Sequence, residues 1–241
     1  MGNAHSPVFT ARRARSAEEV AAALRLRASS FGHAGEHTGD AWDADAAHIL
    51  IEDSRSGALV CCFRMRDFTA ADIEQSYSAR FYGLEAFKDF EGLMVEVGRF
   101  CVAPGCSDPD ILRLAWSVIT QHVDDRDARL LFGCSSFQGT EPDAYLDTFA
   151  MLRARYLAPR RWLPRIRAPE VFRYAARLRR TPDPVKALRS MPPLLRSYLM
   201  MGGWVSDHAV IDRQMNTLHV FTGIEISAIP ATRKRLLRAL V

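Results

Sequence analysis

The sequence predicts an α/β protein, a mixed central sheet covered by helices and followed by a basic, proline-rich C-terminal extension. Three observations predict it. Apolar runs of strand length alternate with amphipathic segments through the middle of the chain, in the β-α-β-α order of a mixed sheet with helical cover. At 241 residues, 48% hydrophobic and 25% charged, the chain has the make-up of a globular protein with a core to fill. Seven prolines from Pro159 to Pro193 then cut a basic stretch into short pieces. A single domain over 1–241, with a basic helical insertion at about 151–196, accommodates all three.

Each element has its own local reason. Val8 to Arg15 reads as a strand, and Ser16 with Glu19 three residues later is a capping box that starts a helix from Ala17 to about Ser29. Phe31 to Asp45 is rich in Gly, His and Asp without an apolar period, so it is a loop. The runs Ala47 to Glu52 and Ala58 to Met65 flank the turn residues Asp53 to Gly57 as a hairpin. Ile73 to Phe87 reads as a helix and Leu93 to Val102 as a strand. Asp108-Pro109 caps the next helix, on which Arg113, Ser117, Thr120 and Gln121 form one polar stripe. Leu130 to Ser135 is a strand and Tyr145 to about Tyr156 a helix. Glu170 to Arg180 reads as a further helix, with Arg173, Arg177 and Arg180 on one face. Strands near Trp204 to Ile211 and Leu218 to Ile226 close the sheet, and Thr232 to Val241 is a short basic amphipathic helix.

Composition narrows the function. No stretch approaches the roughly 20 apolar residues that cross a bilayer, and Met1 to Arg15 lacks an apolar signal core, so a cytoplasmic location is expected. The five cysteines have neither the spacing nor the histidine partners of a zinc site and read as reduced, mostly buried thiols; no metal is expected. Residues 1–120 hold 12 Lys+Arg against 17 Asp+Glu, whereas residues 121–241 hold 20 against 11. Between 151 and 196, 13 basic residues meet only Glu170 and Asp183. That field suits an acidic protein, an anionic lipid surface or plain solvation.

The chemistry concentrates in Val95-Glu96-Val97-Gly98-Arg99-Phe100-Cys101-Val102, an otherwise apolar strand carrying an acid, a glycine and an arginine. In strict alternation Glu96 and Arg99 face opposite ways, and a bulge at Gly98 would bring them to one side. A structural Glu–Arg pair is the plainer account, and catalysis the sharper one.

Four features together resemble the acyl-homoserine-lactone synthase branch of the GNAT superfamily: this strand, the hairpin end Phe63-Arg64-Met65, the pair Arg27 and Phe31, and Asp40-Ala41-Trp42-Asp43. The likeness is closer to the ornithine N-acyltransferases of ornithine-lipid synthesis, through Val95 to Gly105, Leu130 to Phe137, Tyr156 to Pro159 and Met191 to Leu195, and it covers roughly residues 40 to 230. The resemblance implies a GNAT-like fold and transfer of a 3-hydroxyacyl group from acyl carrier protein to the α-amine of L-ornithine. The GNAT diphosphate turn is replaced here by Ala103-Pro104-Gly105-Cys106-Ser107-Asp108-Pro109, a poor cradle for coenzyme A. A phosphopantetheine arm carried on a protein would not need that cradle, so no separate cofactor is expected.

Attack of an amine on a thioester requires a base, an oxyanion donor and protonation of the leaving thiolate. Glu96 is the candidate base, and the backbone from Gly98 to Phe100 the candidate oxyanion donor. Ser135 or Ser136 would serve the leaving sulfur or the pantetheine amide. Asp40 and Asp43 would hold an ammonium of the acceptor, and Arg64 or Arg99 its carboxylate. Arg173, Arg177 and Arg180 would meet the acidic carrier. The amphiphilic product implies peripheral contact with an anionic inner membrane, and no nucleic acid is expected. The rivals are an acyl-homoserine-lactone synthase acting on S-adenosylmethionine, and a non-catalytic basic module, which would have no use for Glu96 and Arg99.

Overall fold

The computed structural model describes residues 8–31 and 39–238, with side chains up to 235. The start of the chain before Val8, residues 32–38 of the loop expected from Phe31 to Asp45, and the last three residues of the expected C-terminal helix lie outside the described residues.

The strand β1 (Phe9–Arg13) leads into the helix α1 (Ala17–Ser30), whose N-cap Ser16 accepts from the Glu19 N–H at 3.3 Å. The strands β2 (Ala47–Asp53) and β3 (Leu59–Phe68) follow as the expected hairpin. Asp53 organises its turn by accepting from the N–H groups of Arg55 and Ser56, and Gly57 takes the left-handed φ of 71° that the turn requires. A two-residue strand, β4 (Tyr82–Gly83), precedes β5 (Leu93–Val102) and α2 (Pro109–Asp125). Then come β6 (Ala128–Gln138), α3 (Leu146–Arg155), the short strands β7 (Arg165–Ile166) and β8 (Val171–Phe172), and α4 (Tyr174–Arg177). The helices α5 (Pro184–Ser190) and α6 (Pro193–Met200) lead to β9 (Trp204–Val205), β10 (Ala209–Asp212), β11 (Thr217–Glu225) and α7 (Ala231–Arg238). The class is the expected one, α/β with a mixed sheet flanked by helices.

The chain forms two compact units. The first comprises residues up to 66, 97–126 and those from 234 on; the second comprises 67–96 and 127–233. In the first, β1 pairs antiparallel with β2 and β2 with β3, and the second half of β5 lies beside β3. α2 buries Ile111, Ala115, Ile119 and Val123, which fall on one face at helical spacing. Ser117, expected on a polar stripe, is buried with them.

In the second unit the first half of β5 runs parallel to β6, and the antiparallel order continues through β11, β10 and β8. Along β6 the side chains alternate. Leu130 and Phe132 enter a core with Phe68, Tyr82, Phe87, Trp204 and Phe221, whereas Phe137 enters another with Phe149, Tyr174, Leu195 and Val220. Gly223 on β11 is required by closeness, because a Cβ there would run into the Trp204 ring.

Three expected elements take another form. Ile73 to Phe87 is a chain of short 3-10 turns interrupted by β4, its N–H groups bonding three residues back or leaving the segment altogether. Glu170 to Arg180 is the strand β8 followed by a single helical turn, since Val171 and Phe172 pair with Val210 and Ala209 and cannot also coil. The strand expected from Trp204 to Ile211 breaks at Ser206, whose Oγ accepts from the Phe221 N–H at 3.1 Å and donates to the His208 carbonyl at 2.7 Å. The basic stretch 151–196 is therefore only partly helical, and it supplies Phe172, Tyr174, Ala187, Met191 and Leu195 to the core of the second unit.

Candidate active site

Glu96 forms the last pair of the parallel ladder between β5 and β6, opposite Phe132, and is only 6% exposed. A buried carboxylate needs donors, and here the 3-10 turns supply them. Oε1 accepts from the Ser78 N–H at 2.7 Å and from the Ser78 hydroxyl at 2.6 Å; Oε2 accepts from the Tyr77 N–H at 3.0 Å. Those N–H groups would bond carbonyls four residues back in a regular helix, which explains why this segment is not one. The thiol of Cys134 lies 3.5 Å from the same Ser78 hydroxyl.

The alternation of β6 sorts the two serines. Ser135 shares Phe137's face, is buried, and accepts from Thr222 Oγ1 at 2.9 Å. That is the face opposite Phe132 and Cys134, and there the hydroxyl of Ser135, expected to serve the leaving sulfur or the pantetheine amide, links β6 to β11. Ser136 falls on Cys134's face and is exposed. Ser78 and Cys134 were missed in the sequence, Ser78 because it lay within an assumed helix. The signal for Cys134 was available, since it stands two residues from Phe132 in a period-two strand.

The first unit holds a second cluster. Asp43 accepts from Arg27 Nη1 at 2.9 Å, Arg27 Nη2 at 2.8 Å, Arg64 Nη1 at 2.7 Å and the Asp40 N–H at 2.8 Å. Asp40 accepts from Arg64 through one oxygen and from Arg99 Nη2 at 2.8 Å through the other. His48 Nε2 lies 3.0 Å from the Asp43 carbonyl. Burial acts to raise both carboxyls, but their arginine partners outweigh it: Arg64 and Arg99 hold Asp40 below its ordinary value, and Arg27, with Arg64 and the Asp40 N–H, holds Asp43 further below. Among the described residues the cluster joins three guanidiniums to two carboxylates in a nearly dry setting, Arg27 being 2% and Arg64 4% exposed. Asp40 and Asp43, expected to hold an ammonium of the acceptor, are each bonded to arginine. Arg64 and Arg99, expected to hold the acceptor's carboxylate, meet these acids together with Arg27.

Arg99 reaches Asp40 by an unusual route. Its φ is 55°, the left-handed region that non-glycine residues adopt at a cost of about 1–2 kcal/mol. The irregularity expected at Gly98 therefore sits one residue on. A Cβ at Gly98 would meet Arg64 Nε at 3.7 Å, an ordinary contact. Phe100 stacks on Phe63 with ring centroids 5.5 Å apart.

Arg173 and Arg177 are exposed, whereas Arg180 pairs with Asp147 at 2.8 Å. With only one helical turn between them, the three do not line a common helix face. At the start of α2, Asp108 accepts from the Asp110 N–H at 2.9 Å and Pro109 has no N–H to give, so this helix start already carries its own anion.

Residues 22–117 match a family model described as an acetyltransferase (GNAT) domain. The chain is 28% identical over 237 residues to an L-ornithine N(alpha)-acyltransferase of Rhodobacter capsulatus, covering 91% of each. It is 29% identical over 205 residues to one of Agrobacterium fabrum, covering 79% of this chain and 68% of the relative. Among solved structures it aligns with TofI in an apo form at 14% identity and a TM-score of 0.46, covering 97% and 99% of the two chains. No helix among the described residues is long and apolar enough to cross a membrane. With a GNAT match over residues 22–117 and similarity over nine-tenths of its length to a named acyltransferase, the protein is an acyltransferase.

Proposed function

We propose that the protein transfers a 3-hydroxyacyl group from acyl carrier protein to the α-amino group of L-ornithine, forming lyso-ornithine lipid. The observation that carries this reading is the similarity to the Rhodobacter capsulatus L-ornithine N(alpha)-acyltransferase over 91% of both chains. The same similarity favours ornithine over S-adenosylmethionine as the acceptor.

The chemistry follows from the residues described. The acceptor arrives as an ammonium and must lose a proton before nitrogen can attack the thioester carbon. Glu96, a carboxylate fixed by three donors, takes that proton, directly or through a water. Nitrogen then bonds to the carbonyl carbon, the oxyanion forms against backbone N–H groups between Gly98 and Phe100, and collapse breaks the C–S bond and expels the phosphopantetheine thiolate. The thiolate takes up the second proton that nitrogen loses in becoming an amide, while Glu96 passes its own proton to solvent. Ser136, exposed on β6, would assist the pantetheine arm. Arg64 and Arg99 are the arginines assigned to the ornithine carboxylate.

Two features support a carrier-bound donor. The Asp108 carboxylate at the start of α2 disfavours a free diphosphate at that position. The exposed Arg173 and Arg177, with Arg180, offer charge to an acidic carrier, so no resident cofactor is needed. The amphiphilic product would draw the enzyme from the cytoplasm to the inner membrane as a peripheral protein.

The test is incubation of the purified protein with 3-hydroxyacyl carrier protein and a panel of amino acids, with the lipid product identified by mass. Ornithine should dominate. In the same assay Glu96→Gln, which keeps size and removes the base, should lower turnover by about 10²- to 10⁴-fold. A folded glutamine variant with near-normal turnover overturns the base assignment.

A further inference from the structure

The segment that gives Glu96 its donors is built of 3-10 turns, in which Ser76 bonds back to Ile73, Arg80 to Tyr77 and Phe81 to Ser78. Bonds of that kind have poorer geometry than those of an α-helix, so the shape of the segment depends on what holds it from outside. Arg167, the residue after β7, holds it. One nitrogen of its guanidinium, Nη1, donates to the Glu74 carboxylate at 2.9 Å and to the Ala79 carbonyl at 2.7 Å. Its two hydrogens thus tie together the ends of the stretch 74–79, whose middle carries Tyr77 and Ser78. Nη2 reaches Glu85 at 3.3 Å, and the backbone N–H groups of Arg167 and Ala168 both donate to the Phe81 carbonyl, at 3.3 and 2.9 Å. Pairing of β4 with β7, Tyr82 opposite Ile166, keeps the two segments alongside each other.

We propose that Arg167 is a positioning residue for the acyl transfer: by joining Glu74 to Ala79 it fixes the Tyr77 and Ser78 donors, and through them the place of the Glu96 carboxylate. The inference rests on the reading of Glu96 as the base. Arginine suits the task because its planar fork presents several donors in fixed directions, which an ammonium on a flexible stem does not. With the guanidinium deleted, the stretch 74–79 is no longer tied at its ends, its turns can open, and the carboxylate follows its donors. Misplacement of a catalytic group by about 1 Å can cost as much as 10²-fold in rate. Arg167 and Glu74 are both partly exposed, so water can take over the ends of the severed bond and the fold should survive its loss.

The effect should fall on kcat rather than on binding. Arg167→Met, which keeps the apolar stem and removes every guanidinium donor, should lower kcat by about 10- to 100-fold, while the Michaelis constants for ornithine and for the acyl carrier stay within about twofold. Arg167→Lys, which keeps the charge and a donor for Glu74 or Ala79, should recover kcat to within about fivefold of wild type. Glu74→Ala cuts the same tie from its other end and should lower kcat by about 5- to 50-fold. The decisive measurement is a double-mutant cycle. In the Glu96→Gln background, Arg167→Met should change the residual rate by less than about twofold, because Arg167 acts only through the carboxylate.

Equal fold-losses from Arg167→Met in the two backgrounds would overturn the proposal, as would wild-type kcat in a folded Arg167→Met protein. A raised Michaelis constant for the carrier at unchanged kcat would overturn it too, and would make Arg167 a direct contact for the carrier. Thermal melts establish that each variant is folded at the assay temperature. Should the methionine chain melt below it, Glu74→Ala takes its place in the cycle. Full activity of Glu96→Gln would instead remove the base reading itself, an outcome distinct from additivity within a cycle whose Glu96→Gln arm is already impaired.

Discussion

The arginine cluster around Asp43 makes a stability prediction whose size follows from its geometry. Asp43→Asn preserves shape and removes one charge from a carboxylate that accepts four hydrogen bonds, three of them from guanidinium nitrogens. Arg27, 2% exposed, then faces a neutral amide. Removing one partner of a buried ion pair costs about 3–5 kcal/mol. Asp40 still bonds Arg64 and Arg99, so the lower end applies, about 3 kcal/mol. For a chain of this length each kcal/mol lowers the melting temperature by about 2–4 °C, so the variant should melt roughly 6–12 °C below wild type at pH 7. The pH dependence has a definite sign. The folded carboxyl lies below its unfolded value of 3.8, so its contribution is fully present above that value and is lost as pH falls through the folded one. The gap between wild type and variant should therefore hold from pH 7 to about 5 and narrow as pH falls below about 4. Circular-dichroism melts of both proteins at pH 7, 5 and 3.5 measure it. The double variant with Arg27→Met should lose less than Asp43→Asn alone, since no buried charge is stranded. A gap under about 2 °C at pH 7, or one that does not change on acidification, would refute the reasoning.

Three further outcomes are expected. Acyl carrier protein should be used far better than the same chain on coenzyme A, measured as kcat/KM for each donor, because Asp108 and Pro109 occupy the helix start where a diphosphate would dock. Reversing Arg173 and Arg177 to Glu should raise the Michaelis constant for the carrier and flatten its dependence on salt without altering that for ornithine; an effect on ornithine alone would place them elsewhere. Titration with an aromatic disulfide reagent should find at most Cys106 and Cys134 reactive in the native protein and all five thiols in denaturant. Cys61, Cys62 and Cys101 are buried, and burial pushes the Cys61 thiol above its usual range.

What the sequence disclosed, and what it hid, divides along a physical line. Turns and caps built by neighbouring residues were legible: Asp53 with Ser56, Ser16 with Glu19, and Asp108 with Asp110 lie within three residues of one another. The alternation of β6 was equally present, in Phe132, Cys134 and Ser136 against Ser135 and Phe137. Partners brought together by the fold were not legible. Asp43 looked like a loop acid ready for an ammonium because its arginines stand 16 and 21 residues away, and residue type alone does not say which opposite charge an acid will meet. A bulge in β5 was expected at Gly98, whereas the left-handed residue of that strand is Arg99, which bonds Asp40. The error at Ile73 to Phe87 was the most correctable. A buried glutamate in an apolar strand must take donors from somewhere, and a regular helix offers none from its interior because every N–H there is committed four residues back. A buried Glu96 anchored by Tyr77 and Ser78 and a continuous helix through those residues are therefore incompatible. The carboxylate's need for hydrogen bonds decided the form of that segment.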